Sequence, residues 1–136
     1  MERTLVIIKP DGAKRKLVGK IIQMIEEKGY TIEEIKMEKI SNHQLSIHYG
    51  EHINKPFFPD LLDYMSSGKC IIMIVSGENS IQGIRKLMGS TDPLEAEPGS
   101  IRGRYANNKT QNLIHGSDSK ESASNEIKIF FNGIEK

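Results

Sequence analysis

The run Cys70-Ile71-Ile72-Met73-Ile74-Val75 is the longest uninterrupted apolar stretch in the chain. A strand with one face in solvent alternates apolar and polar residues, and this run has no such alternation. It therefore predicts the central strand of a sheet that is covered on both faces. The run is also far shorter than the roughly 18 apolar residues of a membrane-spanning helix, so we expect no such helix.

Helical patterns lie on both sides of this run. Apolar residues at helical spacing predict three amphipathic helices, formed by Val18, Ile21, Ile22 and Ile25, by Phe58, Leu61, Leu62 and Met65, and by Ile81, Ile84, Leu87 and Met88. Gly29 and Gly89 are typical C-caps for the first and third of these helices. Ser41 and Gln44 resemble a capping box, which predicts a further short helix that ends at about Tyr49.

Three other segments predict strands. Residues 4–8 are apolar and β-branched and are followed by a predicted turn at Pro10-Asp11-Gly12. Residues 30–37 change phase, which predicts a strand with a bulge or a displaced start. Ile127, Ile129 and Phe131 alternate and predict the last strand. The resulting order, β-α-β-α-α-β-α-loop-β, favours a parallel α/β sheet, with an α+β split arrangement as the alternative.

Length and composition limit the class of protein. A chain of 136 residues is the size of one domain, which we place at 1–136. Its net charge of +1 argues against a protein that coats DNA or anionic lipid, so we expect no dedicated nucleic-acid site and no membrane partner. The single cysteine, Cys70, and the lack of a signal-peptide pattern predict a cytoplasmic location.

The small net charge conceals two acid-poor segments, 9–20 and 98–117. Three of the five arginines, Arg85, Arg102 and Arg104, lie between positions 85 and 104. A guanidinium group suits two-point recognition of phosphate or carboxylate. Residues 90–111 show neither helical nor strand periodicity, and a connection of this length is typical of a functional loop. The alternative interpretation of these charges is an ordinary solvated surface.

The segment 112–119, NLIHGSDS, contains the best candidate for a reactive side chain. The imidazole of His115 is a suitable nucleophile near neutral pH because its neutral form predominates there. Gly116 leaves room for a bulky group to approach, and Ser117, Asp118 and a nearby acid could fix the tautomer of the ring. The alternative is a polar loop histidine before a helix, with Asp118 or Ser119 as the N-cap.

Two other motifs suggest different chemistry. Residues 48–52 match the pattern H-x-x-E-H of a metal-dependent hydrolase, but Gly50 and the following Asn-Lys-Pro argue against the stable helix that such a site needs. Phe57 is off the apolar stripe of its helix, so it either stacks on a flat ligand or contacts another subunit.

Taken together, these motifs resemble the nucleoside diphosphate kinase family over essentially the whole chain. Segment 112–119 is similar to the family's active-site signature without a mismatch. The segments that resemble other family motifs, in family order, are 3–12, 48–49, 55–58, 89–93 and 98–103. The resemblance implies a ferredoxin-like βαββαβ fold of the α+β class, with a four-stranded antiparallel sheet, extra helices and a long loop at about 90–111.

The resemblance also implies the activity and its residues. The enzyme would transfer the γ-phosphoryl group of a nucleoside triphosphate to a nucleoside diphosphate by a ping-pong mechanism with broad base specificity. His115 would be phosphorylated through its δ nitrogen, with its ring oriented by Glu126 and Ser117. The expected phosphate and ribose contacts are Lys9, Tyr49, Arg85, Thr91, Arg102 and Asn112, and Phe57 would stack on the base.

Further expectations concern the metal and the assembly. The resemblance implies Mg²⁺ held mainly by the nucleotide's phosphates, with no metal ligand from the protein. It also implies a homo-oligomer, a hexamer in preference to a tetramer. Lys16 and Arg104 depart from the usual family residues, at positions that do not take part in phosphoryl transfer. A nucleotide-binding module without enzymatic activity is the alternative on the same fold.

Overall fold

The computed structural model describes residues 1–131, so the predicted domain 1–136 extends beyond the described part at 132–136. Its centre is an antiparallel four-stranded sheet in the order β2-β3-β1-β4. The strands are β1 (Glu2–Ile8), β2 (Thr31–Glu38), β3 (Cys70–Gly77) and β4 (Ile114–Gly116). The prediction of a covered central strand is confirmed, because β3 is buried along its whole length and pairs with β1 and β2.

The parallel sheet favoured by the alternation of elements is wrong, and the ferredoxin-like antiparallel arrangement is confirmed. Both β1 and β2 run antiparallel to β3, so they are parallel to each other but not adjacent. Strand β3 therefore lies between β1 and β2 and runs in the opposite direction to both. Alternation of strands and helices along the chain does not distinguish this split arrangement from a parallel sheet.

Seven α-helices cover the sheet and its ends within the described residues. They are α1 (Pro10–Lys14), α2 (Val18–Glu27), α3 (Asn42–His48), α4 (Phe58–Met65), α5 (Ser80–Met88), α6 (Ile101–Tyr105) and α7 (Lys120–Phe130), with a 3-10 turn at Gly50–His52. The three predicted amphipathic helices are α2, α4 and α5. The capping box of Ser41 and Gln44 is present at α3, and Gly29 and Gly89 have φ angles of +99° and +89°. None of these helices has the length and apolar character needed to cross a membrane.

Two local predictions are wrong. Pro10-Asp11-Gly12 begins α1, where proline is compatible with the first helical turn. Residues 127–131 do not form a strand: α7 extends to Phe130 with Phe131 as its C-cap, and the last strand is β4. A helix forms here for two reasons. The Ser119 hydroxyl caps its N-terminus by accepting a hydrogen bond from the backbone N–H of Ser122. The buried residues of α7 also have helical spacing: Ala123, Ile127 and Phe130. The loop at 90–111 contains the short helix α6.

The register of β2 explains its phase change. The pairing of β2 with β3 shifts between Ile32 and Glu34, which confirms the predicted irregularity in this strand. The strand lies at one edge of the sheet, and Ile35 and Met37 are more than half exposed on it. This edge is therefore an apolar surface that the described chain does not cover.

Two apolar layers lie on opposite faces of the sheet and account for the lack of alternation in β1 and β3. On one face, side chains of the two strands pack against α2 and α5, and the buried set includes Val6, Ile8, Ile21, Ile25, Met73, Ile84 and Met88. On the other face they pack against α3, α4 and α7, and the set includes Leu5, Ile7, Leu45, Met65, Ile72, Ile127 and Phe130. Strand β4, at the edge of the sheet, carries His115, and helix α7 carries Glu126.

Candidate active site

His115 lies on β4, opposite Ile7 of β1, and its side chain is 21% exposed. Its Nε2 is 2.8 Å from Oε1 of Glu126 on α7. The Ser117 hydroxyl donates a hydrogen bond to the same Oε1 at 2.7 Å. Since the carboxylate takes Nε2, the other ring nitrogen, Nδ1, remains the candidate for chemistry.

The charge of Glu126 is maintained despite its partial burial. Burial raises the pKa of this carboxyl, but the hydrogen bond and charge of His115 and the hydrogen bond from Ser117 outweigh it, and the pKa is lowered overall. Ser117 is itself fixed, because its Oγ accepts a hydrogen bond from the backbone N–H of Leu5 at 3.2 Å. An ionised carboxylate stabilises the proton on Nε2 of His115 and so leaves the lone pair on Nδ1.

Gly116 has a packing role beside His115. A Cβ atom at this position would lie 2.6 Å from the sulfur of Met88 and 3.1 Å from Cγ2 of Ile84, both on α5. Glycine is therefore required for close contact between β4 and α5. This contact differs from the predicted reason, which was space for an approaching ligand.

Lys9 lies at the end of β1, close to the strand that carries His115. Its backbone N–H donates to the carbonyl of Leu113 at 2.8 Å, and its Nζ donates to Oδ1 of Asn112 at 2.8 Å. Burial, followed by the charge of Arg102, lowers the pKa of Lys9 to about 8. The ammonium group therefore stays mostly charged near neutral pH but loses its proton at a lower pH than an exposed lysine does.

Arg102 is buried and holds three backbone carbonyls. Nε donates to Asn112 O at 3.3 Å, Nη1 to Gly89 O at 2.9 Å and Nη2 to Ile114 O at 2.7 Å. Two of these carbonyls, those of Asn112 and Ile114, flank Leu113, whose φ of +78° is unfavourable for a residue other than glycine. Arg102 therefore fixes the backbone that leads to His115, in addition to its predicted contact with phosphate.

The other predicted arginines differ in their placement. Arg85 Nη1 donates to the carbonyl of Gly116 at 3.2 Å. Gly116 follows His115 directly in the sequence. Arg104 instead lies against the ring of Tyr105, 5.2 Å from its centroid. Thr91 is exposed in the loop that follows α5. This loop begins at Gly89, whose carbonyl accepts a hydrogen bond from Arg102.

A chain of aromatic contacts connects Phe57 to His115. Phe57 is 49% exposed, and its ring centroid is 5.3 Å from that of His52. His52 contacts Tyr49 at 6.2 Å, Tyr49 contacts His48 at 4.5 Å, and His48 contacts His115 at 4.8 Å. The predicted base contact and the predicted nucleophile therefore lie at the two ends of one chain of ring contacts.

The sequence interpretation missed His48 as part of this site. Segment 48–49 was noted as a family motif, and residues 48–52 as a metal pattern with Glu51 and His52, but no role at the site was given to His48. Among the described residues, the one group close enough to share a cation is His48, His115 and Glu126, whose candidate ligand atoms lie within 4.8 Å of one another. The pattern H-x-x-E-H therefore does not assemble into a metal centre in the described part of the chain.

The nucleoside diphosphate kinase family model matches residues 2–135. The chain belongs to the nucleoside diphosphate kinase family. It is 52% identical over 130 residues to the nucleoside diphosphate kinase of Methanocaldococcus jannaschii, a match that covers 96% of this chain and 93% of that protein. It is 50% identical over 131 residues to the enzyme of Thermosynechococcus vestitus, which covers 96% and 87%.

Solved structures of the family share the fold. The nucleoside diphosphate kinase of Halobacterium salinarum, solved in complex with CDP, has a TM-score of 0.93 and 41% identity, covering 96% of this chain and 88% of that one. As a nucleoside diphosphate kinase, the present enzyme transfers the terminal phosphate of one nucleotide to another, and the family does so by ping-pong chemistry through a phosphohistidine.

Nucleoside diphosphate kinases generally need a divalent metal ion. Magnesium prefers an octahedral shell of oxygen ligands. The group His48, His115 and Glu126 offers two imidazoles and one carboxylate that already binds His115 and Ser117. The donor set of this group therefore does not fit magnesium.

Proposed function

We propose that His115 carries the phosphoryl group during this reaction and that Nδ1 is the attacking atom. The observation that carries the proposal is the contact of Nε2 with Glu126, which is itself fixed by Ser117. In the first half-reaction, the Nδ1 lone pair forms a bond to the γ-phosphorus, the bond to the β-γ bridging oxygen breaks, and the diphosphate leaves with that electron pair. A terminal phosphate oxygen of the second diphosphate then attacks the phosphorus of the phosphohistidine, the bond between phosphorus and Nδ1 breaks, and its electron pair returns to Nδ1.

The polar groups around His115 bind the substrate in this proposal. Four of them, Lys9, Arg85, Arg102 and Asn112, bond one another or the backbone on either side of His115. Tyr49 contacts His48, whose ring contacts His115. Together with Thr91 these residues would contact the phosphates and the ribose. Positioned cations supply most of the catalysis in a loose phosphoryl-transfer transition state, because the equatorial oxygens carry the charge. Lys9, at the start of the basic segment 9–20, bonds to Asn112 and Leu113 of the acid-poor segment 98–117, which supports this proposal.

Phe57 accounts for broad base specificity. Its half-exposed ring offers a stacking surface at the far end of the aromatic chain from His115. Stacking is tolerant of base identity because every base has a π face. We therefore propose that purine and pyrimidine nucleotides bind in the same way.

The metal in this proposal is Mg²⁺, bound mainly by the phosphates of the nucleotide. When bound there it neutralises part of the phosphate charge. The residues of the chain hold the phosphates and the reacting imidazole.

We also propose that the enzyme is a homo-oligomer. The exposed residues Ile35 and Met37 on the edge strand β2 support this, because an uncovered apolar edge favours pairing with another chain. We expect a hexamer in preference to a tetramer, and sedimentation equilibrium distinguishes the two. We place the enzyme in the cytoplasm, for which the buried, unpaired Cys70 is suitable.

Labelled phosphate tests the central step. The protein is mixed with γ-labelled ATP and Mg²⁺, and we expect acid-labile, base-stable label on the protein that moves to added GDP or UDP. His115→Ala should bind nucleotide without acquiring label, whereas His43→Ala, at an exposed histidine on α3, should label normally. If the folded wild-type protein acquires no label, the proposal fails and the non-enzymatic nucleotide-binding alternative is favoured.

A further inference from the structure

His48 is a buried polar side chain that the proposed mechanism does not use. Its side chain is 2% exposed at the end of α3, between the rings of Tyr49, His115 and Phe130. Neither of its ring nitrogens has a hydrogen-bond partner among the described residues. A buried polar group without a partner costs free energy, so its presence beside the reacting histidine calls for an explanation.

The neighbouring carboxylate offers the missing partner. Both described hydrogen bonds to Glu126, from His115 and from Ser117, are to Oε1. The other oxygen, Oε2, is 3.9 Å from Nδ1 of His48. The rings of His48 and His115 are almost perpendicular, at 87°, so the two imidazoles approach the two oxygens of one carboxylate from different directions.

We propose that His48 is a positioning residue for phosphoryl transfer: its Nδ1–H donates to Oε2 of Glu126 and thereby fixes the plane in which Oε1 faces His115. The proposal rests on the proposed role of His115. The observed separation must shorten by about 1 Å to reach a normal N–H···O distance. In this proposal a small rotation of the His48 or the Glu126 side chain brings Nδ1 and Oε2 to that distance. The positive charge that develops on the His115 ring during attack favours a Glu126 carboxylate held in this orientation.

A neutral donor suits this position better than a cation would. Burial, and next the proximity of His115, lower the pKa of His48 to about 3, so its ring stays uncharged in the working range. A positive group next to Oε2 would compete with His115 for the charge of Glu126. A neutral N–H orients the carboxylate and leaves that charge available to the ring of His115.

A matched pair of substitutions separates this role from simple packing. Asparagine and leucine both branch at Cγ as histidine does, but only His48→Asn retains a donor close to the position of Nδ1. In single-turnover formation of the phosphoenzyme, we expect His48→Leu to be slowed by about tenfold or more and His48→Asn to remain within about threefold of wild type. Nucleotide affinity should be the same in both variants.

The outcomes separate the alternatives. If the two variants lose the same factor in rate, or if His48→Leu retains the wild-type rate, the positioning role is wrong. A wild-type protein that forms no phosphoenzyme would instead count against the role of His115 itself.

Nitrogen NMR provides a second test, whose first part needs only the wild-type protein. The proposal requires the proton of His48 on Nδ1 and that of His115 on Nε2, and in His48→Leu the His115 ring should shift toward a mixture of tautomers. A purely structural role would leave the His115 tautomer unchanged. A proton found on Nε2 of His48 in the wild-type protein would overturn the proposal.

Discussion

Replacement of Glu126 by glutamine tests how the protein controls the His115 ring. The side chain keeps its shape, but the acceptor for Nε2 of His115, at 2.8 Å, becomes a neutral amide oxygen. The same change weakens the bond from Ser117, at 2.7 Å. The proton on Nε2 is then less strongly held, and the positive charge that develops on the ring loses its counter-charge.

The size of the effect follows from these contacts. Hydrogen bonds to charged groups contribute about 1.5–3 kcal/mol, against about 0.5–1.5 kcal/mol for neutral ones. Exchange of one type for the other at His115 costs about 1.4 kcal/mol, or about tenfold in rate, and complete loss of the bond costs up to about 3 kcal/mol, or about 150-fold. We therefore expect phosphoenzyme formation in Glu126→Gln to be slowed by a factor between these values.

Rapid-quench measurement with excess enzyme and γ-labelled ATP reports this step directly. Glu121→Gln, which removes an exposed carboxylate from the first turn of the same helix, is the matched control and should react at the wild-type rate. Nucleotide affinity and thermal unfolding should change little in either variant. A Glu126→Gln enzyme that reacts as fast as wild type would refute the assignment of Glu126 as the orienting acid.

Three other outcomes are expected. Burial and the charge of Arg102 lower the pKa of Lys9 to about 8, so the Kd for ADP from calorimetry should be constant below that pH and rise above it. Lys9→Arg should show no such rise, because arginine stays charged. A constant wild-type Kd across this range would contradict the prediction. Phe57→Ala should weaken GDP and UDP alike, by about fivefold to about 150-fold in Kd, while Phe57→Tyr should not; a loss for one base only would argue against stacking. Lys16 has a φ of +62°, so Lys16→Gly should raise the free energy of unfolding in urea by about 1 kcal/mol, and an unchanged value would mean that the backbone there is unstrained.

The covered sheet and most helices could be predicted from the sequence because their patterns are local. The unbroken apolar run at 70–75 requires burial on both faces, and β3 has it. The direction of the strands could not be predicted in this way, because the position of β3 between β1 and β2 depends on contacts distant in sequence. Ile127 and Ile129 show the limit of short alternation, since the N-cap at Ser119 and burial at helical spacing determine the helix instead.

The resemblance to the family predicts which residues form the candidate site, but it does not predict all of the contacts that they make. The sequence gives no signal that the guanidinium of Arg102 binds three backbone carbonyls, because carbonyl groups are common to all residues. His48 was interpreted with its neighbours in sequence, whereas in the fold its partners are His115 and Glu126, far along the chain. Contacts between side chains that are distant in sequence, such as these, depend on the tertiary structure and cannot be predicted from a local motif.

The central claim is that Glu126 holds Nε2 of His115 and leaves Nδ1 to take the phosphoryl group. Phosphorus–nitrogen coupling in the NMR spectrum of the isotope-labelled phosphoenzyme identifies the phosphorylated atom directly. The account predicts phosphate on Nδ1 of His115, with the proton retained on Nε2. Phosphate on Nε2, or on any other residue, would contradict it.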